Sequence, residues 1–320
     1  MLVSSASHDL SASVDWPPLP FEAWKDTCAT LHLWLQIVGK IRCVQSPWIN
    51  HSWHVALYLT ARGLTTSLIP YGRRVFQIDF DFIAHRLVIA TGDAMVRTMV
   101  LEPRSVADFY RELFVQLAAL GLVIKIHPVP NEIVDAIPFA EDTVHAAYDA
   151  DYANRFWRAL VQADRVFKQF RSAFIGKCSP VHFFWGSADL AATRFSGRMA
   201  PPHPGGVPNC PDWVTREAYS HEVASCGFWP GNDALPYALF YAYAYPEPAG
   251  FSATRVRPEA ARYDTAFGEF VLPYEVVRQA PAPEATLLDF LNDTYAAAAD
   301  LGLWDRAALE QTGLAYPPAH

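Results

Sequence analysis

The segment Ser179–Arg198, SPVHFFWGSADLAATRFSGR, decides how the chain is read. It enters on Ser-Pro, carries Trp185 and passes through Thr193-Arg194. The earlier segment Ser46–Arg62, SPWINHSWHVALYLTAR, has the same punctuation, with Thr60 as far beyond Ser46 as Thr193 lies beyond Ser179. Proline disfavours helix at the residue before it, so each Ser-Pro ends a helix and opens a strand region.

Working outward, the two surroundings follow one order. Trp24, Leu31, Trp34, Leu35 and Val38 repeat at helical spacing and predict a helix from about Phe21 to Val44. Strand-like stretches follow at residues 54–62, 65–70, 75–91 and 95–101. A helix from Ser105 to Leu120 then closes on Leu120-Gly121-Leu122, with Ser105 as N-cap. In the second half a helix over Ala150–Phe174 precedes strand-like stretches at 182–195, 217–228, 237–245 and 269–277. A helix over Ala285–Asp300 then ends at Leu301-Gly302-Leu303, and a short helical tail runs from Trp304 to Gln311. The extra length of the second half falls in Pro- and Gly-rich segments such as RMAPPHPGGVPNCPD, where loops absorb insertions at small entropic cost.

The expected fold is therefore α+β, with two similar lobes from an internal duplication, each an antiparallel sheet packed by helices. Residues 1–20 are expected to be a disordered N-terminal segment. Residues 21–145 form the first lobe, and residues 146–320 the second, packed on the first as one unit.

Composition narrows the function classes. The 320 residues are 52% hydrophobic and 14% aromatic, enough for a large core without staples. A net charge of -8, with unclustered Lys and Arg, argues against a nucleic-acid partner, since such binding rests on concentrated basic residues. No apolar run approaches the roughly 18 residues of a membrane span, and no signal pattern opens the chain. Five cysteines at irregular spacing, without a CxxC pair, suit a reducing cytoplasm better than a disulfide framework.

Strand alternation sorts the polar residues. In the first half Gln77, Asp79 and Asp81 share a face opposite Ile78, Phe80 and Phe82; this is either a solvated sheet face or a pair of carboxylates turned between lobes. The second half has strands that are apolar or aromatic on both faces, with Tyr237, Tyr241, Tyr243 and Tyr245 in one row. Polar groups in such a setting must find partners or cost about 1–3 kcal/mol each. By that test His182, His221, Asp189 and Glu222 are the candidate catalytic residues. Arg194, Arg198, His203, Trp185, Tyr219, Trp229 and Tyr241 are the candidate ligand contacts. Arg198 suits an acidic group of a ligand or an ion pair holding down a loop, and His203 lies on a loop able to cover a site. His51, His54, His182, His203 and His221 leave a metal site open, although no HExxH, HxH or HxxxH spacing occurs among them. No GxSxG, P-loop or dinucleotide-binding glycine motif is present, and Cys226 reads as a buried structural thiol.

The phrases NHSWHV, TARGLTT, FQIDFDFI, HFFWGS, TRFSGR, PPHPGG, EAYSHEV, GFWPG and YAYPEP together resemble a bacterial family catalogued as a domain of unknown function (family 5996). The resemblance runs from about Trp24 to Glu310. It implies one functional unit over that length and brings no reaction or cofactor with it.

The sequence thus leads to the expectation of an enzyme acting on a small anionic or aromatic metabolite by histidine-based general acid/base chemistry. Its site is expected in the second lobe or between lobes. A non-catalytic module that binds a small molecule or a protein through the same aromatic cleft is the alternative.

Overall fold

The structure, a computed structural model, describes residues 15–311. Among the described residues seven helices and two six-stranded antiparallel sheets make an α+β fold. Helix α1 (Phe21–Gln45) is buried on nearly every side from Leu31 to Arg42 except at His32. From Leu31 to Ile41 apolar residues occupy most positions around the helix, which suits one enclosed by other elements, and the polar exceptions His32, Gln36 and Lys40 are buried or partly buried with it. It ends at Ser46-Pro47, as that dipeptide requires.

The first sheet comprises β1 (Tyr58–Thr60), β2 (Gly63–Thr65), β3 (Ile69–Tyr71), β4 (Arg74–Asp81), β5 (Arg86–Thr91) and β6 (Val96–Val100), in the order β1-β2-β4-β5-β6 with β3 also on β4. Phe76, Ile78, Phe80 and Phe82 are buried beneath it. Asp81 pairs outward with Arg62 at 2.7 Å, and Asp79 accepts from Gln77. The Asp79–Asp81 face is thus a partly solvated sheet surface and not a carboxylate site between lobes. Helix α2 (Val106–Ala119) follows, and the Ser105 hydroxyl caps it by accepting from the Asp108 N–H at 3.0 Å.

Helix α3 (Ala150–Ser172), capped by Asp149, leads into the second sheet. Its strands are β7 (His182–Phe184), β8 (Asp189–Met199), β9 (His221–Trp229), β10 (Leu239–Tyr245), β11 (Arg262–Asp264) and β12 (Glu269–Pro273), in the order β11-β12-β10-β9-β8-β7. Helix α4 (Asp212–Ala218) interrupts between β8 and β9. Helices α5 (Tyr274–Gln279), α6 (Pro283–Leu301) and α7 (Arg306–Leu309) close the chain.

Several boundaries differ from the sequence reading for local reasons. The stretch 182–195 is a hairpin, not one strand, because Gly186-Ser187-Ala188 turns the chain with Ala188 at φ 60°. Residues 217–218 end α4, and the strand starts only at His221. The run 269–277 changes to helix at Pro273, whose fixed φ suits the N-cap position of α5.

Helix, six strands and helix do occur twice. The two sheets, however, differ in strand order, and Thr60 ends β1 while Thr193 sits within β8, so the fold does not establish a duplication. The sheets meet where Leu57 and Phe183 exchange backbone hydrogen bonds of 2.8 Å. The buried side chains form one continuous cluster from Trp16 to Trp304. The expectation of a disordered residue 1–20 segment lies outside the described residues for 1–14, and it fails beyond them. Trp16 packs against Phe240 and Tyr274, and Pro17 accepts the Tyr274 hydroxyl at 2.9 Å.

Candidate functional site

Alternation along the second sheet gives it two unlike faces. Leu190, Ala192, Arg194, Ala224, Cys226, Phe228, Phe240 and Ala242 are buried on one face, where aromatic neighbours come from α3 and α6. Ala191, Thr193, Phe195, Val223, Ser225, Trp229, Tyr241, Tyr243, Glu269 and Val271 face a cleft of about 1390 Å³. Its other walls include α1, the segments 51–55 and 144–147, the loop 131–133, residues 210–219 around α4 and the loop 230–235. A concave, mainly apolar chamber with aromatic walls and converging polar groups is a form that small-molecule sites take.

One glycine shapes the floor. Gly227 on β9 stands opposite Tyr241 of β10 and Ala191 of β8, and a Cβ there would overlap the Tyr241 ring. The ring therefore lies flat across β9 and donates its hydroxyl to Asp189 Oδ2. Beside it the hydroxyls of Tyr219 and Tyr243 are 2.8 Å apart, and those of Thr193 and Ser225 are also 2.8 Å apart. Trp229 Nε1 donates to the Ser187 carbonyl at 3.0 Å, fixing the β7–β8 turn that carries Asp189.

Three acids share this end of the cleft. Burial pushes the Asp189 carboxyl up to about 7, with the Tyr241 hydrogen bond opposing and the neighbouring Glu132 reinforcing the rise. Burial likewise raises Glu269 to about 8, aided by Asp189 and Asp264. Glu132 is an exposed residue whose carboxylate packs against Gly186; desolvation there raises it, while Ser187 Oγ donates to it, and its backbone sits at φ 64°, a strained conformation for a side-chain-bearing residue. Taking charge out of water favours the protonated acid, and neighbouring acids deepen the effect.

His182, 1% exposed, lines the cleft with its Nδ1 buried and unpartnered. Burial lowers its pKa to about 3, so its imidazole is neutral at pH 7. Trp185 ties the β7–β8 turn to α1 and to the segment before β1. Its Nε1 donates to the Val55 carbonyl at 2.9 Å, and its ring occupies the space left by the missing side chain of Gly39.

The structure brings Asp189, His182, Trp185, Tyr219, Trp229 and Tyr241 to one cleft and leaves the other candidates elsewhere. Arg194 points to the opposite face, its guanidinium 3.5 Å from the Phe170 ring centroid and 4.2 Å from that of Tyr295. Alternation explains this, since Arg194 is one residue out of phase with Thr193. Arg198 binds Glu222 through Nε at 2.9 Å and the Leu303 carbonyl at 2.9 Å, so this pair fastens the turn after α6 and is not part of the cleft lining. His203 stacks on Tyr219 with ring centroids 4.7 Å apart, behind the wall it was expected to cover. His221 lies outside the lining, with its Nδ1 3.0 Å from Ser220 Oγ.

The open metal reading finds no support. Among the described residues no three His, Cys, Asp or Glu side chains could hold a metal ion. The histidine nitrogens are largely engaged. His51 Nε2 accepts from Lys177 at 2.6 Å, which leaves its Nδ1–H to donate to the Ala218 carbonyl at 3.0 Å. His54 Nδ1 accepts from the Ile49 N–H at 3.2 Å, and His203 Nδ1 from the Gly205 N–H at 3.1 Å.

Sequence reasoning missed Glu269, Glu132 and Lys40, all of which line the cleft. Glu269 and Lys40 carried a readable signal, a charge in an otherwise apolar strand and helix. Glu132 had none, since its loop is placed only by tertiary contacts such as its N–H to the Pro208 carbonyl at 2.8 Å.

Among the described residues no helix is long and apolar enough to cross a membrane. No curated protein and no solved structure matches the chain. A family model does, over residues 16–311, which is nearly the whole chain, and the protein belongs to that family of unknown function, DUF5996.

Proposed function

We propose that the cleft is an enzyme active site in which Asp189 moves a proton to or from a small metabolite with an aromatic body. The observation that carries this reading is the Asp189 carboxyl itself. It is enclosed at the cleft floor, bonded by Tyr241 and raised to about 7, where an acid/base group serves both directions of transfer at neutral pH. This moves the acid/base role from histidine to a carboxyl, because His182 at about 3 is too weak a base to hold a proton. Trp229, Tyr219 and Tyr241 flank the ligand and exclude water.

The anionic half of the expected substrate class loses its support, because neither Arg194 nor Arg198 reaches the cleft. All five cysteines are unpaired, which supports a reducing compartment such as the cytoplasm.

The test compares wild type with Asp189→Asn on an extract of small metabolites, followed by mass spectrometry. A compound consumed by wild type and untouched by the variant supports catalysis. A compound retained by both and altered by neither favours the binding-module reading, for which the same aromatic cleft would serve.

A further inference from the structure

Lys40 is the cleft group that the proton-transfer scheme leaves unused. It projects from a helix that is apolar on nearly every side, is 6% exposed and lines the same chamber. Among the described residues it has no carboxylate within ion-pair distance, whereas Lys25 and Lys168 have theirs at 2.8 and 2.6 Å. Its Nζ donates to Asn131 Oδ1 and lies 5.8 Å from the Trp185 ring centroid. Asn131 is itself fixed, since its backbone N–H donates to Gln36 Oε1 at 2.8 Å and its amide to the Asn209 carbonyl.

An enclosed amine without a counter-ion is an unfavourable place for an ammonium and a favourable one for a free amine. Desolvation accordingly lowers Lys40 to about 8, with Cys43 and Cys210 weakly opposing. A neutral amine held by one acceptor keeps its lone pair available to a carbon electrophile.

We propose that Lys40 captures a carbonyl, and that the cleft takes a small aromatic aldehyde or ketone as a Schiff base on Lys40 Nζ. This rests on the reading of the cleft as a small-molecule site and names its substrate class. The lone pair forms the C–N bond as the carbonyl π pair moves to oxygen. Oxygen gains one proton and nitrogen releases one, giving a carbinolamine. The hydroxyl then takes a second proton and leaves as water while nitrogen gives up its remaining proton. The sum is amine plus carbonyl to imine plus water, with no oxidant or reductant.

The experiment treats the full chain with benzaldehyde and cyanoborohydride near neutral pH, digests it, and maps benzyl adducts over Lys25, Lys40, Lys125, Lys168 and Lys177. Near neutral pH an amine titrating around 8 has about three hundredfold more free base than an ordinary lysine, so the Lys40 adduct should lead the others by about tenfold or more. A smaller lead, or none, overturns the proposal. Wild-type protein suffices, so misfolding of a variant cannot mask the result. The metabolite comparison with Asp189→Asn reads proton transfer alone, so either proposal can fail while the other stands.

Discussion

Tyr241 of β10 donates its hydroxyl to Asp189 of β8 across the bare backbone of Gly227 on the strand between them. Three strands thus cooperate in one contact. The bond stabilises the carboxylate and works against the burial that raises Asp189.

Tyr241→Phe should therefore shift the Asp189 titration upward, read by ¹³C NMR of the labelled carboxyl. Leaving a buried acceptor without its donor should also cost about 1–3 kcal/mol in urea unfolding. An unmoved or lowered titration would show that the hydroxyl does not set the proton affinity of Asp189.

The helices were legible because their signals are local: the aromatic spacing of α1, the cap Ser105 and the Ser-Pro stops. The turn within 182–195 was harder to see, because Ala188 at φ 60° is held by the sheet and leaves no mark in composition. The test of a polar group in an apolar run picked Asp189 and His182, which line the cleft. It also picked Arg194, which lies on the other face, because the test ignores which face of the sheet is lined by helices. Arg198 and Glu222 satisfied each other, a pairing that sequence separation conceals.

Arg194 offers a clean separation of charge from site. Its guanidinium lies among Phe170, Phe174 and Tyr295, its Nη donates to the Phe170 carbonyl, and its Nε is buried without a partner. Arg194→Met keeps most of the volume and removes a desolvated charge, so stability should change by no more than about 1 kcal/mol. Arg194→Ala should cost about 2–4 kcal/mol through the void it leaves. Neither variant should change benzaldehyde labelling at Lys40. Loss of labelling in a folded Arg194→Met protein would instead give Arg194 the ligand-binding role first expected of it.

The raised acids also fix how stability depends on pH. Asp189 at about 7 and Glu269 at about 8 hold their protons more tightly folded than unfolded, where carboxyls titrate near 4. Their contribution is full below the unfolded value and is lost as pH rises through the folded values. His182, His32, His51 and His54 are all lowered, chiefly by burial, and act in the opposite sense: their contribution is present above about 6.5 and lost on acidification. From about pH 6.5 to 8 the two acids therefore pull the unfolding free energy down by about 2 kcal/mol, the larger share from Glu269, against smaller opposing contributions from Lys40 at about 8 and from histidines still titrating in the unfolded chain. Glu269→Gln should flatten most of that slope. Asp189→Asn should flatten more than its own share, because the Asp189 charge helps to raise Glu269. Guanidinium unfolding curves at half-unit pH steps would show this; parallel stability profiles for wild type and Glu269→Gln would mean that Glu269 is already ionised in the folded protein.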